Sequence, residues 1–562
     1  MFGQPHTLLE RHSRGRDKPQ RIELECEVTK GDLSNIAAMQ NAATTLPKKI
    51  EDRFTGVLIR NAVNWEPSLL TAGQRLTFKL VGDELAKTNE PANELYHQYL
   101  IFYEAYNRLL TEMQGLPLSI PMMSMPVNRS SAGFQSSVSL ANYNDADYKK
   151  SVDAATSRNV GQILTLAIGR IATKFRLLLE TDAGGAAHKF YEDPQIKLIT
   201  STLKALGYDW TLASPDPLTN LYDIRLEKQG SSFLMGSASS GEKELLTYLF
   251  AVYGLNLRDA LIVIDEPELH LHPRWQGMLL DLFDRLTKDT NNQFLLATHS
   301  PVFVSPSSIQ YVSRLYSENQ ESKIVRLNNK NLPQTKHLFS IVNSQNNERM
   351  FFADKVILVE GLSDQLFFEA AFRRLGIYEE SIRTYEIIQV GGKYFFGPYE
   401  EVLQACRVPY ALISDLDYIN EFGPPELRGL FKINDSGIAK DVIKNANSKD
   451  GQSLVQRLSE AIDSGNLEDL RILWSYIKAR KRKLRADLSQ TENEALNQFI
   501  ETQRSRNVFL LSEGDLESYL PIGYRSKDIE KLIPFLESDF WGSLSETARN
   551  EITTIVDLVK KL

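Results

Sequence analysis

Carboxylates at the ends of apolar runs are the residues of this chain best placed to do chemistry. Lys355-Val-Ile-Leu-Val-Glu360-Gly361 reads as a buried strand ending in Glu-Gly, with Ser363-Asp364 opening the next helix. Tyr410-Ala-Leu-Ile-Ser-Asp415-Leu-Asp417 reads as a second buried strand, ending in Asp-x-Asp. Residues two apart on a strand project the same way, so Asp415 and Asp417 can reach one cation. Glu360 joins them if the two strands are neighbours in a parallel sheet. A third apolar run, Val508 to Ser512, leads into Glu513-Gly-Asp515-Leu-Glu517, carboxylates sufficient for a second cation. Mg²⁺ or Mn²⁺ favours such clustered oxygens with open water positions. The chemistry this set would serve is phosphodiester cleavage, with one metal activating water and the other stabilising the leaving oxygen. A lysine near the second metal can stabilise transition-state charge, and Lys527 and Lys531 are both candidates. Alone, an Asp-x-Asp is more often a strand-end turn and helix cap. Paired with a Glu-Gly about 55 residues earlier, it is much more specific.

A second set of residues suits nucleotide phosphates. Leu261-Ile-Val-Ile-Asp265-Glu266-Pro describes a buried strand with two carboxylates at its C-terminal end, where α/β sheets place ligands. Asp265 can hold the Mg²⁺ that bridges phosphates, and Glu266 can polarise the attacking water. Roughly 30 residues on, Phe294-Leu-Leu-Ala-Thr-His299-Ser300 is another buried strand, ending in a histidine that can contact a γ-phosphate. Upstream, Ser239-Ser240-Gly241-Glu242-Lys243 opens a helix whose exposed amides suit an anion. Each piece alone is weak; their order and spacing together are not. They resemble the signature, Walker B and switch-histidine motifs of ABC-type ATPases, in the version shared by SMC-like proteins. That resemblance implies that two chains meet to close each site. The phosphate loop G-x-x-x-x-G-K-[ST] does not occur. Val390-Gly391-Gly392-Lys393 is the nearest sound-alike, but it lacks the first glycine and sits in the wrong domain. The expectation is that a natural N-terminal piece is missing; a degenerate, non-hydrolysing ATPase is the competing explanation.

The elements that must position these residues follow from periodicity. At 562 residues the chain suggests two to four domains. Residues 20 to 85 read as strands, with Ile22, Leu24 and Cys26 alternating with glutamates. Residues 126 to 152 look like a loop, and 159 to 180 like a long helix with a wide apolar face. We place an ATPase-type lobe over 1–320 with a helical dimerisation region at about 150–210. A linker follows over 321–350, then a Rossmann-like domain over 351–525 with a helical insertion at about 420–505. A helical segment over 526–562 closes the chain. The fold class is α/β in both lobes.

Bulk properties exclude several classes. No apolar run approaches the roughly 20 residues of a membrane span. The first residues lack the apolar core of a signal peptide, so the reading is a cytoplasmic protein without a membrane partner. Two cysteines, Cys26 and Cys406, form no metal-binding cluster and no disulfide framework. Net charge is −8 with a pI near 5.7, against nonspecific nucleic-acid binding. One local exception is a helical-looking stretch carrying Lys478, Arg480, Lys481, Arg482, Lys483 and Arg485, which could bind DNA phosphates. A solvated helix face is the commoner meaning of such a strip.

The Glu-Gly and Asp-x-Asp pair resembles the Toprim domain of topoisomerases, primases and nucleases. An ABC-type half followed directly by Toprim resembles the overcoming-lysogenization-defect (OLD) family. That family includes the nuclease subunit of the Gabija defence system and some retron-associated effectors. The resemblance implies a metal-dependent DNA endonuclease or nickase, regulated by ATP and used in antiphage defence. It further implies dimers or tetramers through the ATPase half, and leaves room for a helicase or a retron reverse transcriptase with its noncoding RNA as partner. The alternative is an ATPase-like dimeric scaffold that senses nucleic acid or a partner with little catalysis of its own.

Overall fold

A computed structural model describes residues 21–45, 60–81, 84–86, 90–112, 118–125, 136–145, 161–269, 271–305, 308–318, 321–327, 341, 347–380, 384–433, 449–480, 482–525 and 528–562. The chain is mixed α/β and divides into two compact units, Met1–Phe303 and Val304–Leu562. No helix among the described residues is long and apolar enough to cross a membrane.

In the first unit, β1 (Arg21–Glu27), β2 (Arg75–Val81) and β3 (Glu84–Leu85) form an antiparallel sheet. The helix Lys30–Thr45 lies within the stretch expected to be strands. A capping box starts it: Asp32 Oδ2 accepts from Thr29 N and Oγ1, each at 2.8 Å, and Asp32 N donates back to Thr29 Oγ1. Ile36, Met39 and Ala42, three residues apart, bury one face of it against the helix-and-sheet core.

β4 (Met122–Met125), β9 (Leu261–Asp265) and β10 (Gln293–Ala297) form a parallel sheet in the order β10–β9–β4. Between them in sequence, β5 (Val138–Ser139), β6 (Asp209–Asp216), β7 (Leu221–Lys228) and β8 (Ser231–Leu234) make an antiparallel one. On the parallel sheet Ile262 and Ile264 face the core and are fully buried. Leu295 and Met122, on the opposite face, are 58% and 38% exposed. The long apolar helix is Gly161–Thr181. Its Ile163, Leu164, Leu166, Ile168 and Ile171 are buried in this unit's own core, and Phe175 and Leu178 pack beside them. Of the serine-rich loop expected over 126–152, residues 126–135 and 146–152 lie outside the described residues.

The second unit opens with a hairpin, β11 (Ser313–Glu318) and β12 (Glu321–Arg326), where the polar linker was expected to begin. Its centre is a parallel sheet of β13 (Lys355–Val359), β14 (Tyr385–Gln389), β15 (Tyr410–Asp415) and β18 (Val508–Leu511), ordered β14–β13–β15–β18. Both faces are covered, which explains why these strands read as unbroken apolar runs. Val356, Leu358, Leu412, Val508 and Leu510 enter one core. Ile357, Val359, Ile413, Phe509 and Leu511 enter the other, with Phe367, Phe368 and Phe372 of helix Leu362–Arg374.

Between β15 and β18 lie the helices Lys449–Asp463, Leu467–Arg480 and Gln490–Arg504, and the short antiparallel pair β16 (Phe431–Ile433) and β17 (Arg482–Leu484). The basic strip is therefore not one helix. Lys478 and Arg480 end a helix, Arg482 and Lys483 lie on β17, and Lys481 lies outside the described residues.

The closing helices are Ile529–Glu537, Phe540–Ser543 and Glu546–Lys561. The last buries Ile552, Ile555, Val556 and Val559. Its end is tied to the sheet by Lys355, only 2% exposed, whose Nζ donates to the carbonyls of Val559 (3.1 Å) and Lys560 (2.7 Å). A helix end has carbonyls with no partner of its own, and a buried ammonium satisfies them. Lys355→Ala should destabilise the protein by roughly 2–4 kcal/mol in urea unfolding, because it removes the donor and leaves a void. A loss under about 0.5 kcal/mol, the size of an ordinary surface substitution, would show that the ammonium does not hold the last helix in place.

Candidate metal centre and phosphate site

β13 and β15 are hydrogen-bonded neighbours, with Val359 beside Ile413. Their C-terminal ends therefore bring Glu360, Asp415 and Asp417 to one place. One carboxylate oxygen from each lies within 4.8 Å of the others. Such hard oxygens suit a divalent cation of the Mg²⁺ or Mn²⁺ kind. A further observation fits a cation: Glu360 Oε2 is shut off from solvent and accepts no hydrogen bond.

One side chain at this cluster was not singled out for it from the sequence. Lys393 Nζ bonds Asp417 Oδ1 and stands 3.4 Å from Glu360 Oε2, with its side chain 13% exposed. Burial by itself would lower its pKa, but the charges of Asp417, Glu360 and Asp415 outweigh that and raise it. The Gly391-Gly392 turn after β14 places it. Both glycines have positive φ (81° and 128°), which side-chain-bearing residues rarely adopt. Their N–H groups both donate to the Glu360 carbonyl at 3.1 Å, so the turn is fixed to the end of β13. The signal was present in the sequence as Val390-Gly391-Gly392-Lys393, there weighed only as a phosphate loop.

The other expected ligands have local duties. Asp364 Oδ2 accepts from Gly361 N at 2.9 Å and caps helix Leu362–Arg374. Asp515 Oδ1 accepts from Ser518 N at 3.0 Å and from Ser518 Oγ, capping the turn Leu516–Tyr519. Glu513, Asp515 and Glu517 are outside the three-carboxylate group, although their loop is adjacent to it. Leu416 N donates to Gly514 O at 2.7 Å, and Leu516 N to Asp415 Oδ1 at 3.2 Å. Glu551, on the last helix, braces this loop by accepting from Ser512 N (2.9 Å), Ser512 Oγ (2.6 Å) and Tyr519 Oη (2.7 Å). Lys531 is exposed and lies 3.7 Å from Asp528, and Lys527 lies outside the described residues. Arg485 of the basic strip pairs with Glu492, and its backbone N–H bonds Leu430 O.

In the first unit, Asp265 ends β9 and Glu266 follows it with φ +46°, a left-handed conformation costing on the order of 1 kcal/mol in a non-glycine residue. The backbone N–H of Glu266 bonds Ala297 O at 2.8 Å, fixing it beside the end of β10. Glu268, not singled out from the sequence, holds the histidine loop, its Oε1 accepting from His299 N (2.8 Å) and Ser300 N (3.1 Å). Ser239 caps helix Ser240–Leu249 in a capping box with Glu242, while Ser240 and Gly241 form its first turn. A Cβ at Gly241 would sit 3.3 Å from Leu271 Cδ2, so only glycine packs there without a shift. Glu242 Oε1 accepts from Tyr208 Oη (2.5 Å) and Lys228 Nζ (2.6 Å). Glu242 is thus committed within its own chain.

Residues 67–305 match the family described as "AAA domain, putative AbiEii toxin, Type IV TA system". Residues 351–417, which contain Glu360, Lys393, Asp415 and Asp417, match "Overcoming lysogenization defect protein-like, TOPRIM domain". The chain joins an AAA-type domain to an OLD-like TOPRIM domain. This bears out the resemblance read from the motifs. Among similar proteins, Old nuclease of Escherichia phage P2 is 21% identical over 409 residues, covering 70% of this chain and 66% of that protein. OLD nuclease of Thermus scotoductus is 23% identical, covering 36% and 40%, and Endonuclease GajA of Bacillus cereus is 24% identical, covering 58% and 53%. The matches thus span less than two thirds of each of these relatives.

The AAA-type domain offers a direct test of how its Ser239-to-Glu242 turn is held. Burial alone would raise the Glu242 pKa, but hydrogen bonds from Lys228, Tyr208 and Ser239 bring it down to about 2 from an ordinary 4.5. A depressed carboxyl stabilises the fold above its unfolded pKa and loses that contribution as pH falls through the folded value. Wild-type stability should therefore fall between pH 4.5 and about 2 more steeply than that of Glu242→Gln. Parallel acid limbs in denaturant unfolding would show that this network is not holding the helix start.

Proposed function

We propose that this chain is a divalent-metal-dependent DNA endonuclease or nickase whose TOPRIM domain carries the chemistry and whose AAA-type domain regulates it. The observation that carries this reading is the convergence of Glu360, Asp415 and Asp417 at the ends of two adjacent parallel strands. A bound Mg²⁺ or Mn²⁺ would polarise the phosphodiester and lower the pKa of water at the site. The chain's own residues supply the frame. Glu360, Asp415 and Asp417 would hold the ion, and the sheet, buried on both faces, keeps their spacing fixed. Asp364 and Glu551 secure the flanking loops, which preorganises the cluster instead of leaving it to be assembled at each turnover. Nuclease names among the similar proteins support the reading, and antiphage defence is the role that family likeness suggests. DNA contacts would come from cations, the strip Lys478 to Arg485 being the sequence's candidate for them.

For the AAA-type domain we propose a nucleotide site formed by Asp265, Glu266 and His299, closed in a dimer by the Ser239-Ser240-Gly241-Glu242 turn of a second copy. Glu268, by holding the His299 backbone, would set where that imidazole stands.

Nicking and linearisation of supercoiled plasmid by the full chain tests the central claim. Cleavage should require Mg²⁺ or Mn²⁺, stop with EDTA, and fall at least on the order of 100-fold in Asp415→Ala, exceeding the effect of losing an outer-shell partner. Cutting that survives in Asp415→Ala at wild-type rate would move the active site elsewhere.

A further inference from the structure

We propose that Lys393 is a tethered counter-cation of the carboxylate cluster: it neutralises Glu360 and Asp417 until a divalent ion arrives, and is then displaced to hold a phosphate oxygen of the DNA backbone. The inference rests on the metal-site reading above and adds to it a residue and a loading step.

The argument starts from charge. Three carboxylates and one ammonium leave the cluster at a formal charge of −2, which one divalent ion cancels. The ammonium is not a surface group that happens to reach in. It is 13% exposed, it bonds Asp417, and it is 3.4 Å from the Glu360 oxygen that has no hydrogen bond. An ion coordinated by those two carboxylates would need the oxygens that Lys393 now engages. Two like-charged cations cannot share them closely, so loading pushes the ammonium off Asp417. It cannot go far, because the turn that carries it is fixed by two hydrogen bonds to the Glu360 carbonyl. The side chain alone moves, on four rotatable carbons, and ends beside the cluster, where it would meet a phosphate oxygen of a bound backbone. A lysine suits that role because its ammonium is a compact point charge that re-aims without a fixed fork geometry.

A purely structural ion pair makes a different prediction, and the two are separable by metal binding. With the full chain, Mn²⁺ affinity is measured by EPR titration in wild type, Lys393→Gln, Lys393→Met, Lys393→Arg and Asp415→Ala. Loss of the competing charge should tighten Mn²⁺ on the order of 10-fold in the Gln and Met variants and leave Arg within about 3-fold of wild type. Plasmid cleavage should nevertheless fall in the Gln and Met variants, because the phosphate contact is gone. Thermal melts identify any variant that fails to fold, and Gln and Met serve as substitutes for each other. Mn²⁺ affinity that is unchanged or weaker in a folded neutral variant overturns the counter-cation proposal while Asp415→Ala still loses binding. If Asp415→Ala binds Mn²⁺ like wild type, the metal-site reading itself fails, and this one with it.

Discussion

Three carboxylates with oxygens within 4.8 Å repel one another by on the order of 3 kcal/mol per pair at an effective dielectric near 20. The TOPRIM domain must hold them there in spite of that. The energy comes from the sheet beneath: β13 and β18 bury every side chain and β15 its inner four, and their apolar residues alternate between two separate cores. A strand packed on both faces cannot rotate or slip by one residue without exchanging its two cores, so the residues just past its end inherit a fixed position. Relief of the repulsion is left to a cation. Lys393 supplies one of the positive charges from within the chain.

The frame extends beyond the sheet. The last helix carries no expected ligand, yet both of its ends are bonded to the sheet that carries the site. Lys355 at the start of β13 is bonded to that helix's final carbonyls, while Glu551 near its start braces the Ser512 turn beyond β18. The strand bearing Glu360 and the strand beside Asp415 are thus pinned by a single element. Loss of that helix would loosen the site without removing any carboxylate from it.

The strands and the three central carboxylates were legible in the sequence because each depends on local rules. Unbroken apolar runs mean strands buried twice, and a carboxylate just past such a run lies at the strand's C-terminal end. What escaped depended on pairings remote in sequence or on backbone shape. Glu551 meets Ser512 across 39 residues, and Lys393 meets Asp417 across 24 through a positive-φ Gly-Gly turn. The helix Lys30–Thr45 was hidden between two true strands, its start marked only by Thr29 and Asp32. The basic strip failed for the opposite reason. Its composition suits a helix, but β16 captures Arg482 to Leu484 as a paired strand, and tertiary pairing outweighed local propensity.

A common physical device explains why acidic residues that hold the backbone resemble ligands in a sequence. Where a buried strand ends, backbone N–H groups lose their ladder partners and need acceptors. Asp364 answers Gly361, Glu551 answers Ser512, and Glu268 answers His299 and Ser300 in the AAA-type domain. A carboxylate accepting from the backbone forms a strong, charge-assisted bond that fixes the loop. Such residues belong at an active site as much as the ligands do, and in a sequence they look the same. Geometry separates them. Asp364 Oδ2 and Glu551 Oε1 accept from backbone N–H groups, whereas Glu360 keeps an oxygen buried with no hydrogen bond beside two further carboxylates and a lysine. Glu268 Oε2 is likewise buried without a hydrogen bond, so such an oxygen marks the centre only through its company, two further carboxylates and an ammonium.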